Sequence, residues 1–129
     1  MEQKLKEILK NSYSPYSNFK VAAIAIMKDG REFKGVNVEN ASYGACNCAE
    51  RSAIFSAISN GYTKGDFNKL YVMCQSEQIG TPCFICRQVI SDMFEKDKEV
   101  VCFNPKGEYK IFKVRDLCPY PFDDETLNS

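Results

Sequence analysis

CAERSAIFSAISNG (residues 48–61) and TPCFICRQVI (residues 81–90) are the two stretches whose reading decides the fold. In the first, Ala49, Ala53 and Ala57 recur with Ile54 and Ile58 at four-residue intervals until Asn60-Gly61, which predicts a helix with one small apolar face. Across and just beyond the second, Ile85, Val89, Ile90, Met93 and Phe94 mark an amphipathic helix over residues 83–95. NKLYVMC (68–74), between them, reads as a buried strand, so both helix starts can converge at one end of a sheet. Asn47 is a good cap, which puts Cys48 at the first helical position and Glu50 at the third. Thr81 can cap the other helix, Pro82 suits its first position, and Cys83 and Cys86 then lie in or near the first turn. The unpaired N–H groups and positive dipole at such ends favour thiolate over thiol.

Working outward, Leu5, Ile8 and Leu9 sit at helical spacing in residues 2–12, and Ser12-Tyr13-Ser14-Pro15 stops that helix. FKVAAIAIM (19–27), the Asp29-Gly30 turn and residues 31–38 form an antiparallel pair. EVVCF (99–103) and residues 109–114 add two strands, and LCPYPFDDETLNS (117–129) reads as a loop-rich tail. The order is α-β-β-α-β-α-β-β, a single α/β domain over residues 1–129 with helices on both faces of one sheet.

Composition narrows the chemistry. Hydrophobic residues make up 44% of the 129, with no low-complexity tract, as in compact globular proteins. No apolar run approaches a membrane span, and the opening MEQKLKEILK lacks a signal-peptide core, so the expectation is a soluble, cytoplasmic protein without membrane partners. Seventeen basic residues balance seventeen acidic ones, which offers no footprint for nucleic acid. Seven cysteines in a reducing compartment are free, metal-bound or catalytic rather than a disulfide framework. There is no histidine, so catalysis must run on carboxylates, thiolates, cations or a metal.

Three thiolates at two helix starts would fill three corners of a tetrahedron and leave the fourth open, the pattern of a catalytic zinc. Plainer readings stand beside it. A Cys-x-x-Cys pair also serves redox chemistry, and free cysteines are commonly buried as small apolar groups. Glu50 could close a capping box on Asn47, Arg51 could be an ordinary solvated side chain, and Cys46 is a rival ligand that spacing leaves open. Cys74, Cys102 and Cys118 read most simply as packing. The joint pattern favours the metal: Cys-x-Glu on one helix start and Pro-Cys-x-x-Cys on the next match the zinc nucleobase deaminase signature, with cysteine where its commoner form has histidine.

The likeness extends well beyond that signature. SPYSNFKVAA (14–23), GVNVENASYG (35–44), NCAERSAI (47–54), TPCFICRQVI (81–90) and DLCPYPF (116–122) resemble the homotetrameric cytidine deaminases in order and spacing over nearly the whole chain. The resemblance implies a three-layer α/β/α sandwich around a mixed five-stranded sheet, and hydrolysis of cytidine and 2′-deoxycytidine to the uridine forms with release of ammonia. It implies Cys48, Cys83 and Cys86 as ligands of Zn2+, Glu50 as the catalytic proton shuttle and Arg51 as a donor to the ligand sulfurs. It further implies that Asn37 and Glu39 bind the ribose hydroxyls, Phe19 lies beside the pyrimidine, Ala49 offers a backbone contact to the base, and Phe122 is lent by a neighbouring subunit of a homotetramer.

The residue types suit these roles. Zinc brings the pKa of a bound water to about 7, and one carboxylate can then move every proton of the cycle. Three thiolates outweigh the dication by one negative charge, which the helix ends and Arg51 would offset. Glu39 accepts from hydroxyls while Asn37 both donates and accepts, although both also suit turn hydrogen bonds, and Phe19 or Phe122 could be plain core. Phe84 and Ala22 depart from the family, which usually has small residues, commonly glycine, at those positions. A bulky Phe84 would repack either the pocket wall or a subunit interface. A deaminase of a cytosine-containing antibiotic such as blasticidin S shares the zinc motif, but NVENASYG favours a nucleoside. A non-catalytic zinc-stabilised scaffold would want a fourth ligand in place of an open position beside Glu50.

Overall fold

The computed structural model describes residues 1–128. In chain order the elements are α1 (Glu2–Leu9), β1 (Val21–Met27), β2 (Glu32–Val36), α2 (Ala49–Ser59), β3 (Phe67–Cys74), α3 (Phe84–Met93), β4 (Glu99–Phe103), β5 (Tyr109–Lys113), α4 (Val114–Leu117) and α5 (Asp124–Asn128). One mixed sheet runs β2-β1-β3-β4-β5. β3 and β4 pair in parallel, with α3 as the crossover that a parallel neighbour requires, and the other strand pairs are antiparallel. The β1–β2 and β4–β5 pairs are antiparallel hairpins, the first turning at Gly30 with φ +93°, a conformation that favours glycine.

Alternation along β1 separates the two faces of the sheet. Ala23, Ala25 and Met27 face α2 and α3, in a core with Ala49, Ala53, Ile54, Ile90 and Phe94. Ala22 and Ile24 face the opposite side, where Leu5 and Ile8 of α1 close over them together with Met73. Ala22 is fully buried there, so the departure from glycine is absorbed beneath α1 and not at a binding surface. The three expected layers are present. No helix among the described residues is long and apolar enough to cross a membrane.

Two local expectations change. Cys48 is itself the cap of α2 and Cys83 the cap of α3, each in extended backbone, so Asn47 and Thr81 stand one and two residues before the caps of the helices they were expected to cap. The cause lies in other bonds. Asn47 exchanges both backbone hydrogen bonds with Val38, and Thr81 accepts through Oγ1 from Arg87. The last strand ends at Lys113 and α4 takes over from Val114 to Leu117, where the tail was expected to begin, and α5 makes that tail more regular than expected.

Candidate active site

α2 begins where it does because β2 lets it come close. A Cβ on Gly35 would stand 2.4 Å from the Ala53 nitrogen and 2.5 Å from the Ala49 oxygen, so only glycine permits this approach. The small face Ala49-Ala53-Ala57 completes the contact, and every one of those residues is fully buried. The start of α2 is thereby pressed against the sheet. The start of α3 reaches the same place from the end of β3.

Cys48, Cys83 and Cys86 converge there, with all three sulfurs within 4.8 Å of one another. Zinc–sulfur bonds of about 2.3 Å set a tetrahedral sulfur–sulfur edge of about 3.8 Å. Cys48 and Cys83 lie 3.7 Å apart, at that edge length, and Cys86 stands within 4.8 Å of both, so the three thiols are placed to close on one tetrahedral metal ion. Cys46 is drawn off elsewhere, where its sulfur accepts from the Asn40 N–H at 3.2 Å. Cys74 and Cys102 are buried strand residues whose thiols burial pushes up to about 12.

Electrostatics at the cluster fits a cation. The Cys86 thiol donates to Cys48, and with the Arg51 guanidinium this holds the Cys48 thiol down to about 5. The same bond and burial push Cys86 far upward, since a second thiolate beside the first is unfavourable. A dication is the group that would let both ionise together. Arg51 Nη2 donates to Cys48 Sγ at 3.3 Å, while Arg51 Nε is buried with no acceptor among the described residues. Burial alone would lower the Arg51 pKa, and its bonds to Cys48 and Cys86 outweigh that and raise it. An Arg51→Ala variant is therefore expected to keep its fold and to lose zinc to a chelator about 10- to 100-fold more readily. Zinc retention and turnover equal to the parent would remove Arg51 from this site.

Glu50 is 5% exposed, at the second position of α2. Desolvation raises its carboxyl to about 7, and the nearby Cys48 charge adds to the rise. Among the described residues no side-chain cap closes on α2, so the capping box is absent, and the Glu50 carboxyl turns to its own backbone N–H. A buried carboxyl poised near neutrality beside three thiols is suited to moving protons.

The remaining expected residues fall into two groups. Asn37 and Glu39 flank Val38, whose N–H and carbonyl both pair with Asn47, the residue before Cys48. This bridge, which sequence alone did not reveal, ties both side chains to the start of α2. Asn37 Oδ1 accepts from Val21 N at 2.9 Å and from the Ser12 hydroxyl, and its Nδ2 donates to Phe19 O at 2.8 Å. Glu39 accepts from Tyr16 N at 3.0 Å, Ser17 N at 3.1 Å and the Ser17 hydroxyl, bonds that hold its carboxyl below the usual range, the hydroxyl foremost. Phe19 is held beside this pair and keeps a part-exposed ring. Ala49 is the fully buried first residue of α2.

Phe122 is held against α3, where its main chain binds Gln88 through both its N–H and its carbonyl. Phe84 does not repack the pocket wall. It is the first residue of α3, 79% exposed, with the Arg87 guanidinium 4.7 Å above its ring.

Comparison with known proteins agrees with this geometry. Residues 1–104 match the family model of the cytidine and deoxycytidylate deaminase zinc-binding region. The cytidine deaminase of Halalkalibacterium halodurans is 40% identical over 117 residues, 91% of this chain and 87% of that protein. That of Sporosarcina psychrophila is 37% identical over 123 residues, 95% of this chain and 89% of that one. Among solved structures, cytidine deaminase from Burkholderia pseudomallei superposes with a TM-score of 0.89 at 43% identity, covering 93% of this chain and 94% of that one. The enzyme from Mycobacterium tuberculosis gives 0.79 at 30% identity, over 95% and 94% of the two chains. Sequence, fold and thiol cluster thus lead to one assignment: the chain belongs to the zinc-binding cytidine and deoxycytidylate deaminase family.

Proposed function

We propose that this chain hydrolyses cytidine and 2′-deoxycytidine to uridine and 2′-deoxyuridine with release of ammonia, as a cytoplasmic pyrimidine-salvage enzyme formed by one domain over residues 1–129. The observation that carries the reading is Glu50, buried and held near neutrality, beside three thiols that leave one tetrahedral position open. Cys48, Cys83 and Cys86 hold the zinc, which when bound supplies the Lewis acidity that activates water toward C4 of the base.

The chain's own groups do the rest. Glu50 takes a proton from the attacking water and gives it to N3 as C4 becomes tetrahedral, then takes the second proton from the new C4 hydroxyl and passes it to the amino group, so that the C4–N bond breaks, C4=O forms and ammonia leaves. Arg51 withdraws charge from the Cys48 sulfur. Asn37 and Glu39 meet the ribose hydroxyls from the segment bridged to Asn47, with Phe19 beside the pyrimidine and the Ala49 backbone at its edge. Phe55, Phe84, Ile85 and Phe122 leave apolar surface exposed on and around α2 and α3, which supports a homotetramer in which each Phe122 ring enters a neighbour's site.

The reading is tested by incubating the zinc-loaded protein with cytidine, deoxycytidine or blasticidin S and measuring ammonia and deaminated product together. Equimolar ammonia and uridine from cytidine is the expected result. Turnover confined to the antibiotic, or zinc bound with no turnover of any of the three, would reject it.

A further inference from the structure

Two residues that directly follow Cys86 reach across to the C-terminal segment. Gln88 Nε2 donates to Phe122 O at 2.6 Å, and Gln88 Oε1 accepts from Phe122 N at 3.1 Å. One planar amide thus binds both polar groups of a single residue's main chain. A single bond would allow a pivot, and two opposed bonds do not. Arg87 Nη1 donates to Leu117 O at 3.2 Å, at the other end of the same segment. Pro119 and Pro121, which lie between, restrict the backbone further.

The strap 117–122 is therefore pinned at both ends by adjacent side chains of α3. Its ring is not covered to match. Phe122 remains 59% exposed and Tyr120 95% exposed. Ordering a segment costs conformational entropy, and a largely exposed aromatic ring returns only part of it within this chain. A ring that another molecule covers would return more of it. Arg87 also donates to Pro82 O and to Thr81 Oγ1, both at 2.7 Å, so one guanidinium fixes the approach to Cys83 as well as the start of the strap.

We infer that Gln88 is a positioning residue for the pyrimidine, fixing the Phe122 ring where a second copy of the chain receives it against the substrate base. The inference rests on the proposed sharing of Phe122 between copies. It adds the device that makes the sharing reproducible: the thiol-bearing start of α3 in one copy and the ring it offers the next are joined through Arg87 and Gln88.

The test uses steady-state kinetics on cytidine with the zinc-loaded wild type, Gln88→Leu, Phe122→Ala and the double variant. Phe122→Ala is expected to raise KM about tenfold, the scale of one lost base–aromatic stack. Gln88→Leu is expected to raise KM about fivefold, the scale of one ordinary hydrogen bond's net contribution, with kcat and zinc per chain unchanged. In the Phe122→Ala background, Gln88→Leu should add nothing. Gln88→Glu keeps the acceptor and loses the donor, so its KM should fall between wild type and Gln88→Leu, and it carries the test if the leucine variant fails to fold.

A readout free of activity is available because the chain has no tryptophan. In a Phe122→Trp protein, Gln88→Leu should shift the emission to the red and increase quenching by acrylamide. A KM raised by Phe122→Ala but untouched by either Gln88 variant overturns the inference alone. Effects of the two residues that simply add overturn it as well. A wild-type KM in Phe122→Ala overturns the shared-ring reading first, and the inference with it.

Discussion

A Glu50→Gln variant turns over cytidine roughly 10³- to 10⁴-fold more slowly than wild type and binds the same amount of zinc. The magnitude is the upper range for a positioned general acid–base, and this carboxyl is asked to act more than once per cycle. Glutamine has almost the same volume, so the tight surroundings of a 5%-exposed side chain remain filled. What it lacks is a proton that can come and go. Cys48, Cys83 and Cys86 are untouched, and the metal count therefore stays constant while the rate collapses. Single-turnover kinetics with metal analysis on the same preparation reads both. A variant that keeps more than a tenth of the wild-type rate would remove Glu50 from the chemistry and leave it as a buried structural carboxyl.

The largest effect on stability is expected at Gly35, which touches no substrate. An alanine methyl there would lie 2.4 Å from Ala53 N, 2.5 Å from Ala49 O and 2.9 Å from Ser52 Cβ. The first two are helix backbone, which cannot swing aside as a flexible side chain can. α2 would have to lift off β2, opening the packing of Ala49 and Ala53 and displacing Cys48 and Glu50 from α3. Overpacking a tight core costs about 1–3 kcal/mol, and a clash with two backbone atoms belongs at or above the top of that range. Thermal unfolding of Gly35→Ala is expected at a Tm lowered by on the order of 10 °C, with zinc affinity reduced in the protein that still folds. An unchanged Tm would mean that α2 can slide along β2, and that its start is not fixed in the way the geometry requires.

Much of this arrangement is legible in the sequence. The small face of Ala49, Ala53 and Ala57 announces a helix pressed onto a sheet, and the apolar run into β1 with its Asp29-Gly30 turn announces the hairpin. Cys48, Cys83, Cys86 and Glu50 follow from spacing joined to the family signature. The helix caps were misread because capping rules weigh a residue's local preference. Asn47 and Thr81 are good caps, but the Asn47 main chain is paired with Val38 while its side-chain amide donates to Ser52, and the Thr81 hydroxyl is taken by Arg87. Both α-helices that bear the site's thiols consequently start one residue later than at Cys48 and Cys83, with each cysteine in extended backbone at the cap.

Other features leave no periodic signal. α4 and α5 span four and five residues, too short for a helical repeat to show. The clamp from Gln88 to Phe122 joins residues 34 apart, and nothing local to either names the other. Gly35 stands inside the quoted GVNVENASYG, but a glycine's reason lies in what a methyl would strike, and that requires coordinates.

The central claim is that three thiols on two helix starts hold one zinc ion on which cytidine turnover depends. It is tested most directly by stripping the metal, returning zinc in measured steps, and following the loss of cytidine absorbance at each step. The account predicts no turnover in the stripped chain and a rate that rises in proportion to bound zinc, reaching its plateau at one equivalent per chain, with Cys48→Ser, Cys83→Ser and Cys86→Ser each failing to reach it. Full turnover by the stripped protein, or a plateau unaffected by loss of any of the three thiols, would contradict it.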